Sequence, residues 1–218
     1  MAAPVIELRD VTIRHDRAGA PPLVVVEGYR LALQPGHLHC LAGRSGSGKT
    51  SILRVAAGLD RPAEGEVLWR GESLAALGDD AVTARRAEHI DYLDQGGVLL
   101  DGLTAFENVL LPAVPSGRSR ALAERADTLL QRLGVAERAG HRPAQLSVGE
   151  RHRVALARAL VLEPAVLLVD EPTASLDRRS ADEVIELLAG LAASGVAVLV
   201  AAHDERLIAA ADTRTSLV

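Results

Sequence analysis

The feature that most constrains this 218-residue chain is a glycine-rich segment that separates a strand-like stretch from a helix-like stretch. Its residues are Gly43-Arg44-Ser45-Gly46-Ser47-Gly48-Lys49-Thr50, and they fit the pattern G-x-x-x-x-G-K-[ST]. Residues 37–42 before it are largely apolar, and residues 51–57 after it have a helical pattern. A strand, a tight loop and a helix in that order form the setting that this pattern requires.

This segment is suited to hold a chain of phosphates. Glycines let the backbone wrap around phosphate groups with its N–H groups pointing inward, at the positive end of a helix dipole. Lys49 supplies a compact charge for the β- and γ-phosphates, and the Thr50 hydroxyl suits Mg²⁺. Lys49 is also the one lysine among the 24 lysine and arginine residues of the chain. An ammonium fits into a tight loop, whereas a planar guanidinium does not. The use of lysine at this position, in a chain that otherwise uses arginine, therefore indicates nucleotide binding.

Strand-like and helix-like segments alternate along much of the chain. Strands are predicted at residues 5–9, 23–26, 37–42, 66–69, 166–169 and 196–202. Helices are predicted at residues 49–57, 122–133, 147–161 and 179–193. The alternation favours an α/β fold with a mainly parallel sheet. A helix-rich stretch from about residue 98 to 160 interrupts it, which indicates a helical subdomain inserted into the sheet domain.

Charge and apolar patterning narrow the classes of protein. The net charge of −5 provides no broad basic field, so no nucleic-acid partner is expected. No apolar run approaches the ~18 residues of a membrane span, and the N-terminus lacks a signal-peptide pattern. The single cysteine, Cys40, excludes an internal disulfide and suits a reducing compartment. These features predict a cytoplasmic protein.

Two adjacent acids follow the apolar strand predicted at residues 166–169. Asp170 and Glu171 end this strand far downstream of the glycine-rich segment. One carboxylate near a metal can orient its water ligands, and a second can polarise an attacking water. A solvated turn is the alternative, and the preceding phosphate-binding pattern makes the catalytic interpretation the favoured one.

Another helix is predicted to begin at Ser147. Ser147 and Glu150 have the S-x-x-E spacing of a capping box, in which each side chain bonds the backbone of the other residue. The positive end of the helix dipole then lies at Ser147. A capping box by itself does not indicate a functional site, because it is a common way in which helices begin.

Taken in order, these motifs resemble the ATP-binding-cassette (ABC) family of ATPases. Residues 165–172 (AVLLVDEP) are similar to the Walker B strand, and residues 146–150 (LSVGE) to the signature usually written LSGGQ. The resemblance implies a single domain over residues 1–218, with the helical subdomain at about 98–160. It also implies a P-loop NTPase fold with a mainly parallel sheet core and an N-terminal antiparallel β subdomain. ATP and Mg²⁺ are the implied ligands.

Further site residues are implied by the same resemblance. Gln95 matches the Q-loop glutamine, residues 174–177 (ASLD) match the D-loop, and His203 matches the switch histidine at the γ-phosphate. His15 stands where the family carries an aromatic ring against adenine. The implied catalytic residues are Lys49, Glu171 and His203, and the implied metal ligands are Thr50, Gln95 and Asp170. The implied nucleotide-binding residues are His15, Gly43, Arg44, Ser45, Gly46, Ser47, Gly48, Lys49, Thr50, Ser51, Gln95, Ser147, Gly149 and Asp177.

Partners are implied as well. In ABC proteins the signature helix meets the nucleotide of the other subunit, so a head-to-tail homodimer, or a pseudo-dimer with a similar ATPase, is expected. Residues 103–112 (LTAFENVLLP) are similar to ATPases of lipoprotein-release and macrolide-export transporters. This similarity implies a groove around residues 95–112 for a membrane permease, export or extraction as the direction, and a place on the inner face of the membrane. Phe106 is either a permease contact or a core residue.

Two departures and two alternatives belong beside this prediction. Val148 replaces the first signature glycine, and its branched side chain could crowd the nucleotide. Imidazole stacks less well than a larger ring, so His15 predicts weak discrimination between bases.

Two alternative functions are compatible with the same motifs. They are an ABC ATPase with an accessory role in cluster assembly or carbon–phosphorus-bond cleavage, and a nucleotide-dependent regulator with weak hydrolysis. The sequence does not specify the transported substrate.

Overall fold

The computed structural model of the protein describes residues 3–17, 19–174 and 176–217. Within these ranges it contains nine strands and seven α-helices. The strands are β1 (Ile6–Arg17), β2 (Ala20–Leu33), β3 (Leu38–Gly43), β4 (Glu64–Trp69), β5 (Glu72–Ser73), β6 (Ile90–Leu93), β7 (Val166–Asp170), β8 (Ala197–Ala202) and β9 (Thr213–Leu217). The helices are α1 (Lys49–Ala56), α2 (Asp79–His89), α3 (Ala105–Leu110), α4 (Ala123–Arg132), α5 (Val148–Leu160), α6 (Arg178–Ala193) and α7 (Glu205–Ala210). In the described part of the chain, no helix is both long and apolar enough to cross a membrane.

A five-stranded parallel sheet forms the centre of the molecule, with strand order β6-β7-β8-β3-β9. Strands β7 and β8 are buried along their whole length. Near-continuous apolar runs of this kind are typical of parallel strands covered on both faces. The predicted α/β fold with a parallel sheet core is confirmed.

Alternate residues of these strands enter two separate apolar clusters. Leu167 and Val169 of β7 pack with helices α3 to α6 on one face of the sheet. Leu168 of β7 packs on the other face with α1 and with the second sheet, where Trp69 donates from Nε1 to the Ala56 carbonyl at 2.9 Å. Because successive side chains of a strand point to opposite faces, the parallel sheet packs against a layer on each of its two faces.

The second sheet is antiparallel and has the order β2-β1-β4-β5. Its strands are longer than the sequence pattern predicts, because they continue through bulges. At one bulge Asp10 has φ 50°, and Gly65 lies so close that a Cβ on it would be 2.3 Å from the Asp10 carbonyl oxygen. Gly28 lies within β2 with φ 60°. The predicted antiparallel subdomain is present.

Helices α3, α4 and α5 lie between β6 and β7 in the sequence and pack against one another. Gly134, just after α4, has φ 65°. A glycine with such a left-handed value is a common end of a helix. The apolar cluster of these helices is continuous with that of the parallel sheet. Their description as an inserted subdomain of one domain spanning residues 1–218 remains a prediction.

Candidate active site

The site residues lie where the carboxyl ends of four parallel strands meet. The glycine-rich loop follows β3, Asp170 ends β7, His203 follows β8 and Gln95 follows β6. In open parallel sheets the loops at this edge are where ligands bind. A cavity of about 340 Å³ lies over the loop. The predicted site residues that line it are His15, Ser45, Gly46, Gly48, Lys49, Thr50, Ser51, Gln95, Glu171 and His203.

Backbone conformation explains the glycines of the loop. Gly46 and Gly48 have φ 82° and 92°, values that L side chains rarely adopt. A Cβ on Gly48 would also lie 2.7 Å from Cγ2 of Val26. Gly43 has a different reason, because a Cβ there would be 2.6 Å from the Ser47 hydroxyl oxygen. The loop can therefore follow this path only with its glycines.

Lys49 has a buried side chain whose ammonium is surrounded by oxygen atoms. Its Nζ donates to the carbonyls of Gly43 and Arg44 at 2.8 and 3.0 Å, and lies 3.3 Å from Oε1 of Glu171. Only 5% of the side chain is exposed. A buried ammonium needs such partners, so its position is fixed at the base of the loop.

Glu171 is held between the first residue of α1 and a residue that follows β8. Oε1 faces Lys49, and Oε2 lies 2.8 Å from Nδ1 of His203. The backbone of Glu171 has φ 50°, an unfavourable value for a residue other than glycine, and its N–H donates to the Ala201 carbonyl at 2.9 Å. Strain of this kind concentrates at functional sites, where the surrounding structure maintains it.

Asp170 and Thr50 form the part of the site that suits a metal ion. The Thr50 hydroxyl donates to Oδ2 of Asp170 at 2.6 Å. Burial raises the pKa of Asp170 above its usual range, while the bond from Thr50 lowers it. Oδ1 of Asp170 is buried and has no hydrogen-bond partner within the described residues. A free, buried carboxylate oxygen beside a hydroxyl is a donor set that fits Mg²⁺, which takes few protein ligands and relies on phosphates and water for the rest.

The remaining side of the cavity is lined by residues of the antiparallel sheet. Nε2 of His15 lies 3.2 Å from the Ser51 hydroxyl, and His15 is exposed. Leu23 and Val25 also line the cavity, and the sequence did not single them out. Their only sequence signal is alternation along β2.

Ser147 and Gly149 lie apart from this cavity. Both arms of the predicted capping box are present: Glu150 N–H donates to Ser147 Oγ at 3.2 Å, and Ser147 N–H donates to Glu150 Oε2 at 2.7 Å. Arg138 Nε also donates to Glu150 at 2.8 Å, and these hydrogen bonds lower the pKa of Glu150 to about 2. Ser147 is exposed, as is 54% of Val148. The start of α5 therefore faces outward.

Asp177 is likewise outside the cavity and caps α6. Its side chain accepts a bond from the Ser180 N–H at 3.0 Å. Before it, a Cβ on Gly149 would be 3.1 Å from Cδ2 of Leu176, so the start of α5 and this segment are in close contact. Ser175, at the centre of the predicted D-loop, lies outside the described residues.

Gln95 lies on an exposed loop that continues into a partly apolar surface. Val98 and Leu100 are 67% and 49% exposed. The fully buried Asn108 holds this segment, since its Oδ1 accepts from the Leu100 N–H at 2.8 Å and its Nδ2 donates to the Thr104 carbonyl at 2.9 Å. Sequence reasoning missed Asn108, because a polar residue in an apolar helical pattern carries no local signal of such bonds.

Comparison with known proteins gives consistent results. Residues 26–174 match the family model described as "ABC transporter". The chain is 41% identical over 212 residues to the macrolide export ATP-binding/permease protein MacB of Rhodopseudomonas palustris, covering 97% of this chain and 32% of that protein. It is also 41% identical over 198 residues to the lipoprotein-releasing system ATP-binding protein LolD of Chromohalobacter salexigens, covering 90% of this chain and 84% of that protein. The chain thus spans about a third of the length of the first relative and most of the second.

Two solved structures have the same fold over nearly the whole chain. A dimeric ATP-binding cassette in a post-hydrolysis state, bound to ADP and Pi, matches with a TM-score of 0.89 at 31% identity, covering 97% of this chain and 94% of that one. A dimeric structure of a bacterial ABC transporter cassette matches with a TM-score of 0.90 at 33% identity and the same coverage of both chains.

Proposed function

Because the chain belongs to the ABC transporter family, we propose that it binds and hydrolyses ATP with Mg²⁺ as the ATP-binding part of a membrane transporter. The observation that carries this proposal is the convergence of Lys49, Thr50, Glu171 and His203 on one cavity beside the glycine-rich loop, with Asp170 bonded to Thr50. Each of these side chains has the chemistry that phosphoryl transfer to water requires.

The glycine-rich loop would hold the triphosphate through its backbone N–H groups and the Lys49 ammonium. Thr50 and Asp170 would hold Mg²⁺, with Gln95 at the edge of the cavity as a third predicted ligand. When bound, the metal ion neutralises charge on the phosphate oxygens. The charge on the attacked phosphate is further stabilised by Lys49 and by His203.

Glu171 would orient and polarise the attacking water. Its carboxylate reaches Lys49 with one oxygen and His203 with the other, so it already lies between the two groups that would face the γ-phosphate. Because the Lys49 ammonium has three oxygen partners, a bound phosphate would replace one of them. If the phosphate takes the place of Glu171 beside Lys49, Oε1 of Glu171 becomes available to accept a proton from water.

A second subunit would complete the site. Ser147 and Gly149 stand at the exposed start of α5, outside the cavity of their own subunit. The positive end of a helix is suited to contact phosphate, so we place it against the nucleotide of a second copy in head-to-tail arrangement. The similarity to dimeric cassettes supports this proposal.

The surface around residues 95–112 would receive a membrane permease. Exposed Val98 and Leu100 follow Gln95 directly, and Asn108 fixes the segment that presents them. Relatives named for macrolide export and lipoprotein release favour export or extraction. This interaction would hold the protein on the inner face of the membrane. Phe106 is half-buried and packs against the main apolar cluster, so we give it a role in supporting this surface.

A nucleotide-dependent regulator with weak hydrolysis is the second candidate. The observation that favours it is the exposed branched side chain of Val148 at the helix start that would meet phosphate. The rate of ATP hydrolysis separates the two candidates, because a transport motor hydrolyses ATP repeatedly, whereas a regulator of this kind binds ATP and hydrolyses it only slowly.

The direct test is Glu171→Gln. We expect this variant to bind MgATP with unchanged affinity and to lose turnover by about 10²-fold or more, because general-base assistance is removed while the phosphate contacts remain. Steady-state phosphate release and equilibrium binding of a fluorescent ATP analogue measure the two quantities. Glu186→Gln, an exposed carboxylate on α6, is the matched control and should retain wild-type turnover. Wild-type turnover in Glu171→Gln would refute the assigned role.

A further inference from the structure

A chain of hydrogen bonds links the signature helix α5 to the start of α6. Arg153 on α5 donates from Nη1 to the Ser180 hydroxyl oxygen at 2.9 Å. The same hydroxyl donates to Oδ2 of Asp177 at 2.8 Å, while the Ser180 N–H donates to Oδ1 at 3.0 Å. Ser180 therefore accepts from a cation and donates to a carboxylate, and charged groups at both ends strengthen such bonds.

An apolar contact lies beside this chain. A Cβ on Gly149 would be 3.1 Å from Cδ2 of Leu176, so the segment before α6 packs against the first turn of α5. Gly149 lies at the start of α5, which we place at the second subunit, and Leu176 lies next to the exposed Asp177 that caps α6. The two helix starts are thus connected by a hydrogen-bonded contact through Arg153 and an apolar contact through Gly149.

This connection is largely shielded from solvent. Ser180 is 9% exposed, and Arg153 is half-buried with an Nε that has no hydrogen-bond partner within the described residues. From the other side, Arg206 of α7 donates to Oδ1 of Asp182 at 2.7 Å. The start of α6 is therefore held between α5 and the helix that follows His203.

We propose that Arg153 and Ser180 are positioning residues that fix the segment before α6 to the start of α5, so that the second subunit meets both as one surface. This inference rests on the proposed head-to-tail dimer. Neither residue lines the nucleotide cavity of its own subunit. Breaking the link should therefore weaken association of the subunits and leave binding of MgATP to a single subunit intact.

The test uses Ser180→Ala in the Glu171→Gln background. This change removes both bonds of the hydroxyl, the one from Arg153 and the one to Oδ2 of Asp177, but keeps the backbone N–H that donates to Oδ1 of Asp177, so the cap of α6 is retained. We expect the dimer dissociation constant at saturating MgATP to rise at least about fivefold, and MgATP binding to the monomer to stay within about twofold of the parent. Sedimentation over a range of protein concentrations measures the first quantity, and fluorescent-nucleotide titration of dilute protein measures the second.

Matched variants separate positioning from a structural role. Arg179→Ala removes an exposed neighbour whose side chain pairs, among the described residues, with Glu183 at 3.1 Å, and this change should leave dimerisation unchanged. Arg153→Leu should weaken the dimer, and the double variant with Ser180→Ala should be no weaker than the worse single variant, because both changes break one link. In the otherwise wild-type chain, Ser180→Ala should lower ATPase activity at low protein concentration and regain it at high concentration.

Two results would overturn this inference. The first is a Glu171→Gln protein that dimerises with MgATP equally well with and without Ser180→Ala. The second is a loss of monomer MgATP binding in Ser180→Ala as large as the loss of dimerisation, since that would assign a role in folding alone. A parent Glu171→Gln protein that does not dimerise would instead refute the proposed function, and this inference with it.

Discussion

At the scale of single residues, Glu171 has the most demanding surroundings in the molecule. It has a left-handed backbone, a buried carboxylate and contacts to Lys49 at the start of α1 and to His203 after β8. All three residues could be identified from the sequence by resemblance, because their motifs are short and local. Asn108 and Arg153 could not, because their roles depend on partners 4 to 27 positions away that the fold brings together.

Val148 gives a prediction at this scale. Its side chain is 54% exposed at the start of α5, where we place the partner's phosphate. Val148→Gly removes a branched side chain from that surface, so hydrolysis should be equal or faster, by up to about tenfold. Steady-state ATPase assays at fixed protein concentration test this expectation. A clear loss of activity would show that the valine contributes a contact that the glycine cannot replace.

His15 gives a second prediction. Its ring lines the cavity on the side where we place the nucleobase, and imidazole offers less stacking area than a larger aromatic ring. We expect kcat/KM for GTP within about tenfold of that for ATP, and His15→Tyr to improve ATP affinity about fivefold, corresponding to ~1 kcal/mol of stacking. Ser51→Ala is the control for loss of the His15 hydrogen bond alone. Strict preference of the wild-type protein for ATP would count against this account.

At the scale of secondary-structure elements, local chemistry determines which parts the sequence predicts. The helix α5 was predicted because Ser147 and Glu150 cap it and apolar residues repeat along it. By contrast, β9 has the polar sequence TRTSL and becomes a strand only by pairing with β3 at the edge of the sheet. Helix α2 was also missed, since Val82 is its one buried residue in the described part of the chain. Elements that depend on tertiary pairing carry weak sequence signals.

The start of α5 gives a prediction about pH. The pKa of Glu150 is lowered to about 2 from 4.5 by the hydrogen bonds from Arg138 and Ser147. A carboxylate with a lowered folded-state pKa stabilises the fold above its unfolded value, and this contribution is lost as pH falls through about 2. Glu150→Gln should therefore lower the free energy of unfolding by about 1 kcal/mol at neutral pH. The difference should shrink as pH falls below about 4.5.

Urea denaturation across that pH range measures the effect. Glu137→Gln removes an exposed carboxylate next to Arg138 and is the control. It should show no comparable pH-dependent difference. An effect of Glu150→Gln that is constant with pH would mean that the ionised carboxylate is not responsible.

At the scale of the whole molecule, the two halves of the proposed reaction centre lie on different parts of one subunit. Residues of the glycine-rich loop, Glu171 and His203 line the cavity, and Asp170 is bonded to Thr50 beside it. The exposed start of α5 and the Asp177 cap lie apart from it. The resemblance to ABC proteins predicted from the sequence that the start of α5 meets the nucleotide of another subunit, and in the structure α5 and α6 pack on the parallel sheet with this start apart from the cavity. We propose that one subunit supplies only part of a complete site and that a second copy, related head to tail, supplies the rest.

The measurement that tests this claim most directly is sedimentation of the Glu171→Gln protein with and without saturating MgATP. We predict monomers without nucleotide and dimers with it, and we predict that adding Ser147→Arg keeps the protein monomeric while it still binds MgATP. A Glu171→Gln protein that is saturated with MgATP and remains monomeric would contradict the account.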